Sequence, residues 1–88
     1  MSNEELRQSL SELRAELERL KAEEAAVQKK LDALIGGIET RLETPDDIAH
    51  HHSLVQDLRQ STLQLEVSHP RATAILNQIM AALGNMGT

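Results

Sequence analysis

Three consecutive imidazoles, His50, His51 and His52, are the side chains of this sequence best equipped for chemistry, because neutral imidazole ligates metals and its protonation falls near neutral pH. Asp46 and Asp47 stand four residues before His50 and His51, a spacing that brings two ligands together on one helix face, and His69 follows further along. A zinc site takes about four protein ligands, or three with an open position. Adjacent helical residues point about 100° apart, so three neighbouring histidines cannot converge on one ion from a regular helix. His69 or a second chain must then complete the set. The simpler reading is a pair of exposed Asp–His contacts near a helix start, with His52 partly packed beside the apolar face. His50, His51, His52 and His69 stand as metal candidates, and the three adjacent histidines as a candidate pH-sensitive interface, against an expectation of no cofactor.

Other chemistries find little support. The chain has no cysteine, which removes disulfides, thiolate zinc sites and cysteine nucleophiles together. None of its serines sits in a strand-turn-helix elbow, no glycine-rich phosphate cradle is present, and the Asp46-Asp47 pair suits the positive end of a helix better than acid–base work. The expectation is a protein that is not an enzyme and takes no small-molecule substrate. A formal charge of −5, scattered Lys and Arg, and the absence of Trp, Tyr and Phe leave neither a phosphate-binding face nor a stacking platform, so nucleic acid is not expected as a partner. No stretch approaches the roughly 18 apolar residues of a membrane span, and Met1-Ser2-Asn3-Glu4-Glu5 lacks the basic and apolar runs of a signal peptide. The chain reads as cytoplasmic, without a membrane role.

The elements that must position these side chains are all helical. Ser2-Asn3-Glu4-Glu5 has the form of a capping box, and Leu6, Leu10, Leu13, Leu17, Leu20, Val27, Leu31, Leu34 and Ile38 then follow a 4-3-4-3 spacing that ends at Arg41. Such a narrow stripe is a coiled-coil seam and the expected oligomer interface. It predicts one helix over about 3–43, roughly 60 Å long at 1.5 Å per residue, with possible bends or breaks near 21–26 or 36–37. Glu24 puts a charge on the seam in the first of these stretches. Gly36-Gly37, which costs about 2 kcal/mol of helix propensity relative to Ala-Ala, marks the second and lies off the seam, where a second helix can approach closely.

Thr44-Pro45-Asp46-Asp47 predicts a second helix over about 45–67, capped by Thr44, with Ile48, Val55, Leu58, Thr62 and Leu65 on one face. Ser68-His69-Pro70 predicts a third over about 69–83, with Val67 stapled onto Ala72 and Gly84 ending the helix before a short tail. The fold class is all-α, a single domain over 1–88 forming a helical bundle or coiled-coil assembly. A core this small and without aromatics is thin, burying only roughly 60–65% of the unfolded surface. The expected partner is a second copy, as homodimer or higher oligomer, or another protein helix, in a scaffold or adaptor role.

The run His69-Pro70-Arg71-Ala72-Thr73-Ala74-Ile75-Leu76-Asn77-Gln78-Ile79, continuing through Ala82-Leu83-Gly84-Asn85-Met86-Gly87, resembles the ending of a family of short bacterial proteins catalogued as domain of unknown function number forty-four-oh-four. His51-His52-Ser53-Leu54 and the Leu-rich stretch from Leu6 to Leu20 resemble the same family, in the same order. The resemblance implies a small helical protein and brings no activity, cofactor or partner with it.

Overall fold

The stripe of leucines does not run through one helix. A computed structural model, describing the backbone of residues 2–86 and the side chains of 3–84, has α1 (Ser2–Arg19), a 3-10 turn (Ala22–Glu24), α2 (Ala25–Glu43), α3 (Ile48–Leu65) and α4 (Pro70–Met86). The continuous helix expected over 3–43 is therefore corrected to two, with the break inside the 21–26 stretch. Lys21 is extended there (φ −85°, ψ 163°). Its N–H donates to Glu24 Oε1 at 3.2 Å, and the Gln28 amide donates to the carbonyls of Leu20 and Lys21, both at 3.2 Å. Side chains thus supply partners that a continuing helix would have supplied, which makes the break tolerable. Gly36 and Gly37 stay helical with ordinary φ.

The later boundaries shift for similar reasons. Thr44 closes α2, its N–H and hydroxyl both donating to Thr40 O at 2.8 Å, instead of opening the next helix. Asp47 takes the cap, its Oδ1 accepting the His50 N–H at 3.0 Å, so α3 starts at Ile48 and not at residue 45. Val67 makes no staple: it is 91% exposed. The helix expected to end near 83 continues to Met86 through Gly84. The capping contacts of Ser2, the side chains of Asn85 and Met86, and Gly87 with Thr88 lie outside the described residues.

α1 packs on α2 and α4, and α3 packs on the same two helices, closing a four-helix ring about 38 Å long and 21 by 20 Å across. Gly37 faces Leu54 while Arg41 bonds His51, so α2 and α3 run antiparallel. Ser9, whose hydroxyl reaches Gln78 at 3.4 Å, marks the contact of α1 with α4. Leu6, Leu13, Leu31, Ile38, Leu58, Leu76, Ile79 and Leu83 are fully buried in the shared interior. Each contributes about 1.5–3 kcal/mol of apolar burial. Of the stripe expected as an interface between chains, Leu6, Leu10, Leu13, Leu31, Leu34 and Ile38 are buried within this one chain, while Leu17, Leu20 and Val27, nearest the break, are half-buried. Among the described residues there is no strand, and no helix is long and apolar enough to cross a membrane.

Candidate functional site

The first two turns of α3 lay two of the three histidines against the end of α2, and each meets a different backbone or side-chain group there. His50 is half-buried, its Nε2 2.9 Å from the carbonyl oxygen of Gly37. A carbonyl only accepts, so the proton of that ring sits on Nε2. Gly37 also lets Leu54 come close, since a Cβ there would lie 3.0 Å from Leu54 Cδ1.

His51 meets Arg41, whose Nε–H donates to His51 Nδ1 at 3.0 Å. Arg41 is 4% exposed, and its Nη1 is buried with no hydrogen-bond partner among the described residues. A guanidinium stays charged, so His51 must present a bare Nδ1 and be neutral for this bond to exist. Burial of the ring, then the Arg41 charge, then His52 and His50, all hold the His51 pKa below its ordinary value. His52 is exposed, not partly packed as expected, and meets the His51 ring edge-on with centroids 6.3 Å apart.

The expected Asp–His ring contacts do not form. Asp47 holds the backbone N–H of His50 instead of a ring, and no ion pair joins Asp46 or Asp47 to a histidine among the described residues. His69 lies at the other end of α3, about 27 Å away at 1.5 Å per residue, where its Nε2 is 3.2 Å from Glu24 Oε2. That contact ties the turn after α1 to the turn before α4. Among the described residues no three His, Asp or Glu side chains are grouped to hold a metal ion.

Two functional features escape a reading of the sequence. Arg41 continues the phase of the apolar stripe, and a charge arriving in a buried phase was the available signal for its burial. The outer face of α3 is the other. Its buried face is Leu54, Leu58, Ser61, Thr62 and Leu65, with Val55 half-buried, while Ile48, expected to face inward, is 72% exposed and Leu63 is 67% exposed. At 100° per residue Ile48 lies about 80–100° round the helix from Leu58 and Leu65, so it falls outside the buried face while Leu54, on the other side of them, falls inside it.

A family model described as Domain of unknown function (DUF4404) matches residues 6–88. No curated protein and no solved structure matches the chain.

Proposed function

The chain belongs to the family described as Domain of unknown function (DUF4404), and from that premise, which carries no activity, we propose that it is a non-enzymatic cytoplasmic module that binds a second copy of itself or another protein helix. The observation that carries this reading is the exposure of Ile48, Leu63 and Val67 along α3 and the turn after it. Ile48 and Leu63 are fifteen residues apart, which places them within about 60° on the helix surface. Between them this face presents His52, Gln56, Arg59 and Gln60, so it is poor in charge as well as partly apolar. A scatter of single exposed apolar residues is ordinary, but an aligned pair on one helix, extended by Val67, fits a helix-on-helix contact. The stripe from Leu6 to Ile38 is largely occupied in the interior, which moves the proposed contact from α1 and α2 to α3.

Light scattering coupled to size exclusion tests this on the wild-type chain and on Leu63→Glu. Because Leu63 is exposed, the substitution leaves the helical content intact. A wild-type mass above the monomer that falls to the monomer in the variant supports the module acting on itself. A monomer in both sinks self-association and leaves only a foreign helix as partner.

Arg41 and His51 favour a second reading, a module whose state depends on pH. The neutral imidazole accepts from a buried guanidinium, so protonating it sets two cations against each other where α2 meets α3. Under this reading the population of the native bundle, or of the assembly it presents, falls with acidification, and hydrogen exchange of α2 and α3 amides at two pH values tests it. Unchanged protection of both helices at low pH excludes it.

A further inference from the structure

From residue 53 to residue 67, α3 and the turn after it carry three charged side chains, Asp57, Arg59 and Glu66. Asp57 lies on the side toward α2, where it lines a cleft with Lys30. Arg59 and Glu66 are left on the outer face, both exposed. Glu66 closes α3 with helical backbone (φ −61°, ψ −30°), so it continues the same surface. Seven residues apart, the two stand about 20° from each other round the helix and about 10 Å apart along its axis, too far to pair within one chain. Neither has an ion-pair partner among the described residues. Leu63, 67% exposed, sits one turn from each, and the neighbouring Gln56, Gln60 and Gln64 are uncharged.

This arrangement is complementary to itself in one direction only. A two-fold axis perpendicular to α3 reverses the second helix and brings the same flank of both copies together. Centred beside Leu63, it sets Arg59 of each copy level with Glu66 of the other, twice over. Leu63 then meets its own counterpart, and Val67, 91% exposed, lies over the stems of Gln56 and Gln60 of the second copy. In a parallel in-register pair, Arg59 and Glu66 of opposite copies stay about 10 Å out of level, and neither ion pair forms. An antiparallel slide that sets Ile48 on Val67 instead puts Arg59 opposite Gln56 and Glu66 opposite Ala49. Exposed ion pairs add little affinity, but like charges brought together are penalised, so these two residues decide orientation and register.

We propose that a second copy of this chain docks antiparallel on the outer face of α3, crossing at Leu63, with Arg59 of each copy paired to Glu66 of the other. The proposal rests on the reading of this face as the contact surface, and fixes its occupant and orientation. Ile48, about 22 Å from Leu63 along the axis, lies outside the crossing. A single helix crossing is a small interface, so the dimer is weak and reversible.

Sedimentation equilibrium on the full chain tests this, from about 10 µM to about 1 mM protein in about 50 mM salt, where screening is modest. The samples are wild type, Leu63→Glu, Arg59→Glu, Glu66→Arg, and an equimolar mixture of the last two. All three substitutions are at exposed positions, so the variants keep the wild-type circular dichroism. Wild type is expected to dimerise with a Kd of roughly 100 µM. Each charge reversal alone sets like charges at both contacts and weakens the dimer by about tenfold or more. The mixture restores opposite charges at both contacts and dimerises within about threefold of wild type, because only the antiparallel crossing sets position 59 of one variant against position 66 of the other. A wild-type dimer that Leu63→Glu dissociates but neither charge reversal weakens overturns this register and leaves the α3 face standing as the contact surface. Weakened single variants whose mixture does not recover overturn it as well. A wild-type monomer throughout sinks self-association through α3, and the proposal with it.

Discussion

Arg41 Nε donates to His51 Nδ1 at 3.0 Å, so the most buried cation of the chain is held by an imidazole that must stay neutral. The groups that act on His51 are Arg41 from α2 and His50 and His52 from α3 itself, while α4, the other helix packed on α3, carries as its only charged residue Arg71, near the far end. The folded-state pKa of His51 lies below its ordinary value near 6.5, chiefly because burial disfavours the charged ring. Above that ordinary value the ring is neutral folded or unfolded and contributes no pH dependence. As pH falls below it, the unfolded chain takes up the proton first, and stability is lost until the folded pKa is passed. Thermal melts between pH 7.5 and 5 are expected to show Tm falling on acidification. In His51→Gln, where the amide oxygen still accepts from Arg41 and nothing titrates, the fall is smaller. An identical pH profile in the two proteins would remove His51 as the source.

The same pair predicts that Arg41 is better replaced by an apolar chain of similar length than shortened. Its Nη1 is buried without a partner, so the guanidinium carries an uncompensated desolvation cost. Arg41→Met removes that cost and keeps the packing of the stem, and is expected to change stability by less than about 1 kcal/mol in either direction. Arg41→Ala loses the stem as well and is expected to cost about 2–3 kcal/mol. Urea denaturation of both variants separates these outcomes. An Arg41→Met variant as unstable as Arg41→Ala would mean that the charge itself holds the helices together.

The contrast between Gly36 and Gly37 gives a third test. A Cβ at Gly36 meets nothing within 4 Å, so Gly36→Ala collects the helix-propensity difference, about 0.8–1 kcal/mol, as added stability. At Gly37 the same methyl lies 3.0 Å from Leu54 Cδ1, and the leucine must give way before the gain is realised. Gly37→Ala is therefore expected to be less stable than Gly36→Ala by about 1 kcal/mol, or roughly 4–8 °C in Tm for a chain of this size. Equal Tm gains would show that Leu54 yields without cost.

How far the sequence discloses the molecule depends on which interaction decides each feature. Helix type and the apolar phase are local, and the spacing from Leu6 to Ile38 correctly marks side chains that leave water. It does not say whether they meet another chain or a neighbouring stretch of their own, because both solutions bury the same stripe. The break at Glu24 was legible as a charge on the seam. Its mechanism was not, since it requires Gln28 and His69 to reach the turn through space. The start of α3 was misplaced by three residues because Thr44 and Asp47 both suit a cap and only the closed fold chooses between them, whereas the start of α4 at Pro70 was legible in Ser68-His69-Pro70. His51 was legible as a titratable group, whereas its partner Arg41 was not, the pairing being a contact between two helices.

The last prediction follows from how few groups hold the break after α1. Glu24 Oε1 accepts from Lys21 N–H, and Gln28 donates to the carbonyls of Leu20 and Lys21; no other side chain bonds that turn's backbone among the described residues. Replacing Glu24 by Leu and Gln28 by Ala removes all three bonds. The first change also fills the one interrupted seam position, so the 4-3 spacing becomes apolar from Leu6 to Ile38. A continuous helix over α1 and α2 would then span roughly 60 Å, longer than the bundle itself, whose long dimension is 38 Å. Its two halves can no longer pack on each other within one chain. They can make the same contacts with the halves of a second copy, which is domain swapping through an opened hinge. The double variant is expected to form a dimer that wild type does not form at the same concentration, or an assembly larger than the wild-type one, with a longer maximum dimension in small-angle scattering. A variant with the mass and maximum dimension of wild type would mean that burial of Leu6, Leu13, Leu31 and Ile38 against α3 and α4 enforces the turn without help from Glu24 or Gln28.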